Sequence, residues 1–324
     1  MPVEEQRLLA FVQTCFERVG LEPSHAALIG RLLVNADLRG VRSHGTACAD
    51  SYCRGLEAGL HNPRPEYRWL VEREAVAVLS GDGALGYEPM VRASKRAVEQ
   101  ARRTGLGMVT VRHIGHYGAA GHYTRLCLEA GCIGFSVQGY HGQGNARGAA
   151  TPPQIGYFGN PPLSFAIPAG QEPEVVLDVA TCIMADYQRG PEYDALLELI
   201  PAAFFKSMGY TAVASLLGGA LAGIAIDDET AARWPRARLG GMVLAIDPAA
   251  VVDVETMRRE VDRLVRDVRE TYAPMPGRDR ALLPGAIEAE CLERYRREGI
   301  PFGPQEQRSV ARLGERLEVE LPWP

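Results

Sequence analysis

The sequence predicts an α/β protein with a mixed sheet and a helical N-terminal segment, and three observations carry that prediction. Apolar residues recur at helical spacing over residues 4–60. Beyond them, short runs rich in Val, Ile and Phe, bounded by Gly and Pro, are interspersed with helical stretches but keep no strict strand-helix-strand rhythm. A dinucleotide fingerprint of the Rossmann type is missing. Its nearest approach, Gly142-Gln143-Gly144-Asn145-Ala146-Arg147-Gly148, runs into Ala149-Ala150-Thr151-Pro152-Pro153 instead of opening a helix, so it reads as a flexible loop.

The elements follow in order. Ser24 is the expected N-cap of a helix over AALIGRLLVNADLRG, and RSHGTACADSYCRGLEAGL continues as another, which puts Ser43-His44-Gly45 at a helix-to-helix junction. HNPRPEYRW is a Pro-rich turn, and AVAVLSGDGALG gives a strand and a turn leading into a helix near Val91 to Arg103. The strand GMVTVR passes directly into HIGHYGAAGHYTRLCLEAG, where helical spacing takes over after His116. IGFSVQG is a strand that opens the long loop GYHGQGNARGAATPPQIGYFGNPP, a site candidate because structureless stretches of that length are usually functional. LSFAIP and EVVLDVA are short strands, FFKSMGYTAVASLLGGALAG reads as a buried helix whose glycines admit another backbone, and GMVLAIDP is a late strand. The remainder is helical, with a turn at Pro284-Gly285 and a final helix after Gln305. These elements divide into a helical segment (1–75) carrying the Ser-His-Gly motif, an α/β core (76–248) and a C-terminal helical segment (249–324) packing back on that core; no internal repeat is found.

Charge and composition narrow the function. A formal net charge of −5 and a pI near 5.9 leave no basic face for nucleic acid, and the Arg-rich stretch Arg258 to Arg269 is interleaved with Glu260, Asp262 and Asp267 as on a solvated helix. The longest apolar run, Ala212 to Ile226, is broken by glycines and too short to span a membrane. Acidic residues stand where a secretion signal would be basic. The seven cysteines form no CxxC pair, which fits reduced thiols in a cytoplasm.

Histidines are the residues most suited to chemistry. His113, His116 and His122 match no specific zinc signature, so no metal is expected. A histidine at a strand-to-helix junction between Gly115 and Gly118 suits acid/base work, although a structural histidine capping the turn has the same sequence appearance. Ser43-His44-Gly45 is open to the same two readings, and no nucleophile elbow accompanies it. Cys182 reads as a small buried residue ahead of a nucleophile.

Several separate stretches, taken together, resemble one family. They are ADLRGVRSHG with Tyr52, Gly59 and NPRP; GMVTVRHIGHYGAAGHY; FGNPPLSFAIP with EVVLDVATC; Lys206-Ser207-Met208-Gly209, similar to a Lys-Gly-x-Gly motif; and LLPGA with EGIPF. In order and spacing, over nearly the whole chain, they resemble the malate/L-lactate dehydrogenase family, whose α/β fold is not a Rossmann fold. That resemblance implies reduction of a 2-oxo acid or cyclic imine with NAD or NADP as cofactor, and a homodimer. It implies His44 and His116 as proton donor and acceptor, with Ser43 and Tyr52 at the substrate end and Asn160 in the matching Asn-Pro turn. The segment Val176, Leu177, Asp178, Val179, Ala180, Thr181, Cys182, together with Lys206, Ser207, Gly285, Ala286 and Ile287, matches the cofactor-contacting positions.

Departures from the family pattern redirect the substrate. Arg42 stands where an Asp is usual, and Cys48 where an Arg would fork onto a substrate carboxylate. A thiol cannot make that fork, so a small 2-oxo acid requires Arg42 or Arg54 to supply the charge. Cys182, Ser207 and Ala286 replace a serine, a glycine and an acidic residue, and the chain between DVATC and FKSMG is short, losing a stretch that helps cover the site. The expected activity is therefore an NAD(P)-dependent oxidoreductase acting on a ketone, alcohol or imine. The alternative is a relative that has left redox chemistry, as a lyase, isomerase or non-catalytic binding protein.

Overall fold

The computed structural model describes residues 2–140, 160–184, 190–226 and 228–323. The glycine-rich loop expected to contribute to a site, 141–159, lies outside the described residues. The chain opens with a short strand β1 (Pro2–Val3) and helices α1 (Glu5–Arg18), α2 (Pro23–Leu38) and α3 (Ala49–Glu57). Strands β2 (Arg68–Glu72) and β3 (Val76–Ser80) follow, then α4 (Tyr87–Thr104), β4 (Leu106–Ile114), α5 (Gly121–Glu129), β5 (Ile133–Tyr140), β6 (Pro162–Ile167) and β7 (Val175–Ala180). Next come α6 (Pro191–Leu199), α7 (Pro201–Ser215), α8 (Asp228–Arg233) and β8 (Leu239–Ile246). The last elements are α9 (Val254–Thr271), α10 (Ala286–Glu298), β9 (Ile300–Pro301) and α11 (Pro304–Leu317).

The main sheet runs β2-β3-β4-β8-β5-β6-β7. Among the described residues one pair, β3 with β4, is parallel and is joined through α4, as a parallel crossover demands; the other pairs are antiparallel. The sheet is mixed, as the sequence predicts. Strand β8 comes late in the chain yet sits between β4 and β5, so the sheet closes only when the chain returns past residue 239.

Strand pleating separates the two faces. Gly241 of β8 lies against Met90 of α4, whereas its neighbour Gly240 meets the carbonyl of Gly218. Gly134 of β5 lies against Thr124 and Cys127 of α5, and Gly139, of opposite parity, meets Gly218 and Gly219. One face is therefore covered by α4 and α5, the other by the turn Leu216–Ala220 that extends α7. A second core joins the two ends of the chain: Leu8, Phe11, Val12 and Phe16 of α1 and Leu33 of α2 pack with Phe302 and with Val310 and Leu313 of α11, and β1 pairs with β9.

Three local readings change. Helix α2 begins at Pro23, with Glu22 at the cap and no side-chain capping bond, so Ser24 lies inside the first turn; proline at the first position supplies the fixed φ that a helix start needs. The exposed strand β2 lacks the alternation that would reveal it. The helix expected to be buried, α7, leaves Phe205 at 71% and Tyr210 at 64% exposure, because only its Ser207, Thr211, Ala214 and Ser215 side faces the sheet. The expected close backbone approach of its glycines is present, since a Cβ at Gly139 would stand 2.1 Å from the amide nitrogen of Gly219. Gly139→Ala should accordingly destabilise the fold by about 2 kcal/mol or more, because backbone on both sides cannot give way; an unchanged urea unfolding midpoint would contradict that contact.

Candidate active site

A buried carboxylate builds one wall. Asp37, at the end of α2, is 1% exposed and accepts hydrogen bonds from the Thr46 amide (2.8 Å) and hydroxyl (2.7 Å), while the Arg42 guanidinium lies 3.5 Å away. These bonds fold residues 42–48 into two short turns, Arg42–His44 and Thr46–Cys48. Glycine is required between them, because a Cβ at Gly45 would stand 1.9 Å from the Asp37 carboxylate. The turn presents Ser43 and His44 outward. The opposite wall starts where β4 loses register between Arg112 and Ile114, with His113 at φ +57°, and the chain is re-aimed towards His116.

The two imidazoles meet with ring centroids 5.5 Å apart and planes 22° from parallel. Ser43 Oγ is 2.8 Å from His44 Nδ1. Behind His116, the Tyr87 hydroxyl donates to the Tyr52 hydroxyl (3.1 Å), which stands 2.7 Å from His116 Nδ1. The Gly118 amide also points at that nitrogen, at 3.3 Å. With Tyr87 and Gly118 both donating, Tyr52 passes its own proton towards Nδ1, so neutral His116 carries its hydrogen on Nε2. Burial lowers the His116 pKa to about 4, with lesser contributions from His44 and His61, and burial also lowers His44. Imidazoles stacked this closely and shielded from water hold at most one proton between them near neutral pH.

Ser43, His44 and His116 line a cavity of about 210 Å³ together with Asn160 and the edge of β7, Asp178, Val179 and Ala180. The expected catalytic residues and the middle of the expected cofactor segment thus face one space. Asn160 Oδ1 accepts the Cys182 amide at 3.1 Å and ties the two strand ends together. Other expected residues lie elsewhere. Tyr52, 8% exposed, sits behind His116 with its hydroxyl against Nδ1 and does not line the cavity. Arg42 is turned to Asp37 and packed between the rings of Tyr295 and Phe302 (5.4 and 5.5 Å), Arg54 is paired with Asp50 at 2.9 Å, and the Cys48 thiol donates to the Ser43 carbonyl. Ser207 Oγ donates to the Thr181 carbonyl (2.6 Å) and accepts the Ile183 amide (3.0 Å) between β7 and α7, the Cys182 thiol stands 3.6 Å from the Thr211 hydroxyl, and Lys206 is exposed on α7. Leu177 and Ile287 do not line the cavity, and Ala286 is buried at the start of α10. Val176 and Gly285 line a smaller neighbouring cavity of about 150 Å³.

Sequence reasoning missed Arg125, Glu288 and Tyr140 in the larger cavity, Arg39 in the smaller, and Tyr87 behind Tyr52. Arg125 was accessible in principle, since it follows Gly121 by one helical turn on the helix that begins behind His116. Buried His113 and His122 face the core, away from the cavity.

A family model described as malate/L-lactate dehydrogenase matches residues 3–188 and 192–311. The chain is 24% identical to a malate/(S)-sulfolactate dehydrogenase of Methanothermus fervidus, covering 99% of each chain. It is 26% identical to a ureidoglycolate dehydrogenase (NAD(+)) of Escherichia coli K12, covering 88% of each. Its fold is similar to that of a malate dehydrogenase from Pyrococcus horikoshii OT3, with a TM-score of 0.83 at 22% identity over 99% and 97% of the two chains. A delta1-piperideine-2-carboxylate reductase from Pseudomonas syringae aligns with a TM-score of 0.72 at 18% identity, over 97% of this chain and 99% of that one.

Burial of the histidines has a consequence for stability. Desolvation, ahead of nearby positive charges, lowers His61 to about 4 and His122 to about 3, alongside His116 at about 4. Between those values and the ordinary 6.5 the unfolded chain binds protons that the folded chain refuses, so stability falls as pH drops from about 6.5 towards 4. Asp37, raised to about 6 by burial, acts in the opposite sense, losing stability as pH rises from about 4 to 6. Urea midpoints measured from pH 4 to 8 should therefore rise with pH, and more steeply in Asp37→Asn; a flat profile in both proteins would contradict this assignment.

Proposed function

Because the chain belongs to the malate/L-lactate dehydrogenase family, we propose that it is an NAD(P)-dependent oxidoreductase in which His116 moves the proton while hydride passes between the nicotinamide and a ketone, alcohol or imine carbon. The observation that carries this reading is the imidazole pair opening on the cavity with a chain of hydroxyls behind it. The cavity fits the nicotinamide end of the cofactor: Ala119, Ala120, Val179 and Ala180 leave a smooth apolar wall beside the imidazoles, and Asn160 and Asp178 provide polar atoms at its edge. Those residues would hold the cofactor, NAD or NADP, which when bound supplies or accepts the hydride.

The chain's own residues manage the proton. In the reducing direction, negative charge grows on the substrate oxygen or nitrogen, and His116 Nε2–H is the donor that quenches it. Uptake of one proton by the stacked imidazole pair lets His116 give up its Nε2 proton and end neutral, while Tyr52 and Tyr87, whose hydroxyls burial keeps protonated, hold Nδ1 in place. In the oxidising direction the pair takes up the proton that the substrate gives up. His44, stacked on His116 and tied to Ser43, faces the substrate and limits the pair to one charge.

Position 48 supplies a thiol already donating to Ser43, and Arg42 and Arg54 are held elsewhere, which disfavours a small 2-oxo acid gripped beside His44. We also propose a homodimer with the cofactor near its interface: Leu199, Phe205, Tyr210, Val213 and Leu216 leave an uncovered apolar face on the α6–α7 side. The cysteines carry free thiols, which supports a cytoplasmic setting; among the described residues no helix is long and apolar enough to cross a membrane.

NADH or NADPH should raise the melting temperature of the purified protein. His116→Ala should keep that shift while losing turnover, and Tyr52→Phe should lower kcat about 10- to 100-fold with little change in cofactor affinity. Full activity in His116→Ala would exclude the proton-transfer role, and no shift with either cofactor would exclude the redox reading. Analytical ultracentrifugation should give a dimer that Phe205→Glu with Tyr210→Glu converts to monomer; a monomeric wild-type protein would refute the interface.

A further inference from the structure

Arg125 has no explained partner at the end of the cavity. It stands on α5 one turn beyond Gly121, half-buried, and lines both the 210 Å³ cavity that holds His44 and His116 and the adjoining 150 Å³ cavity. Its hydrogen bond is a long one, 3.4 Å from Nη1 to the Gly121 carbonyl, and among the described residues no carboxylate forms an ion pair with it. Asp178, Glu288 and Glu174 offset its charge at longer range, and Asp178 is occupied in accepting the Gly121 amide at 2.8 Å. Arg39, whose Nε donates to Asn35 at 3.1 Å, adds a second guanidinium lining the adjoining cavity, close enough to Arg125 for the two charges to repel. A desolvated guanidinium that faces a cavity without a carboxylate in contact has its planar donor fork available for an incoming anion.

The reacting end of the cavity holds no comparable group, since position 48 is a cysteine and Arg42 and Arg54 are bound elsewhere. We propose that Arg125 is the specificity-determining residue of this site and grips a carboxylate carried by the substrate away from its reacting carbon, so that the substrates are oxo, hydroxy or imino acids longer than a simple 2-oxo acid. This rests on the dehydrogenase reading above and deepens it. Arg125 sets which acids bind, while His116 acts on whatever carbonyl or imine is presented. Arg39 adds a second positive charge on the adjoining cavity, opposed by Glu174 and Glu288, without touching the reacting atoms.

The test uses non-reacting probes, so that binding and redox are read separately. Malonate, succinate, glutarate and their dimethyl esters are titrated calorimetrically into the purified protein, with and without saturating NADH or NADPH. The wild type should bind at least one diacid about tenfold or more tightly than its ester, and Arg125→Gln should erase that preference while leaving NADH and NADPH affinity within about twofold. Arg125→Lys, which keeps the charge and loses the fork, should retain part of the preference and serves if the glutamine variant does not fold. The proposal is overturned if no diacid is preferred over its ester, if the preference survives in Arg125→Gln, or if that variant loses cofactor affinity, which would assign the guanidinium to the cofactor's phosphates. Diacid binding through Arg125 by a protein that neither binds nor oxidises NADH or NADPH would uphold the anion site and refute the dehydrogenase reading.

Discussion

The carboxylate of Asp37 is the interaction on which the site depends. It ends α2 inside the protein, and its bonds to the Thr46 amide and hydroxyl draw the following turn back over the helix. Burial makes the ionised form costly, which is why its pKa rises to about 6 in spite of those bonds and the nearby Arg42. Arg42 is drawn into the same cluster and held between Tyr295 and Phe302, residues contributed by α10 and the segment after β9. The C-terminal part of the chain is thereby connected to the turn that presents His44. Loss of Asp37 would release both.

The second wall has a different physical basis. His116 is held from behind by a chain of hydroxyls, and each donor in that chain fixes the direction of the next. The result is a neutral imidazole with a defined tautomer, kept neutral by burial and by its stacked neighbour. Such a group is a poor store of charge. Across the cavity stand the edge of β7 and the small side chains Ala119 and Ala120, and Arg125, Asp178 and Glu288 are the charged groups lining it.

Similarity to malate, sulfolactate and ureidoglycolate dehydrogenases covers nearly the whole chain, yet identity is about a quarter. Next to His44 the Cys48 thiol donates to the Ser43 carbonyl and the Arg42 guanidinium is turned to Asp37, while Tyr52 stands behind His116 and Asn160 ties the ends of β6 and β7.

The sequence by itself determined the local elements and the two histidines. Strands β3, β4, β5, β6, β7 and β8 stand out as β-branched runs bounded by Gly and Pro, and the helices around them follow from apolar spacing. Ser43-His44-Gly45 and the stretch at His116 carry enough residues in order to mark the site. Tertiary structure alone decided the insertion of β8 between β4 and β5, because strand order depends on pairing across more than a hundred residues and leaves no local trace. It also decided which side chains reach the cavity: Tyr52 went behind His116, Arg42 went to Asp37, and Arg125 came forward from α5. Residue type and spacing say what a side chain can do, but burial and the partners that the fold brings to it decide whether it faces the substrate.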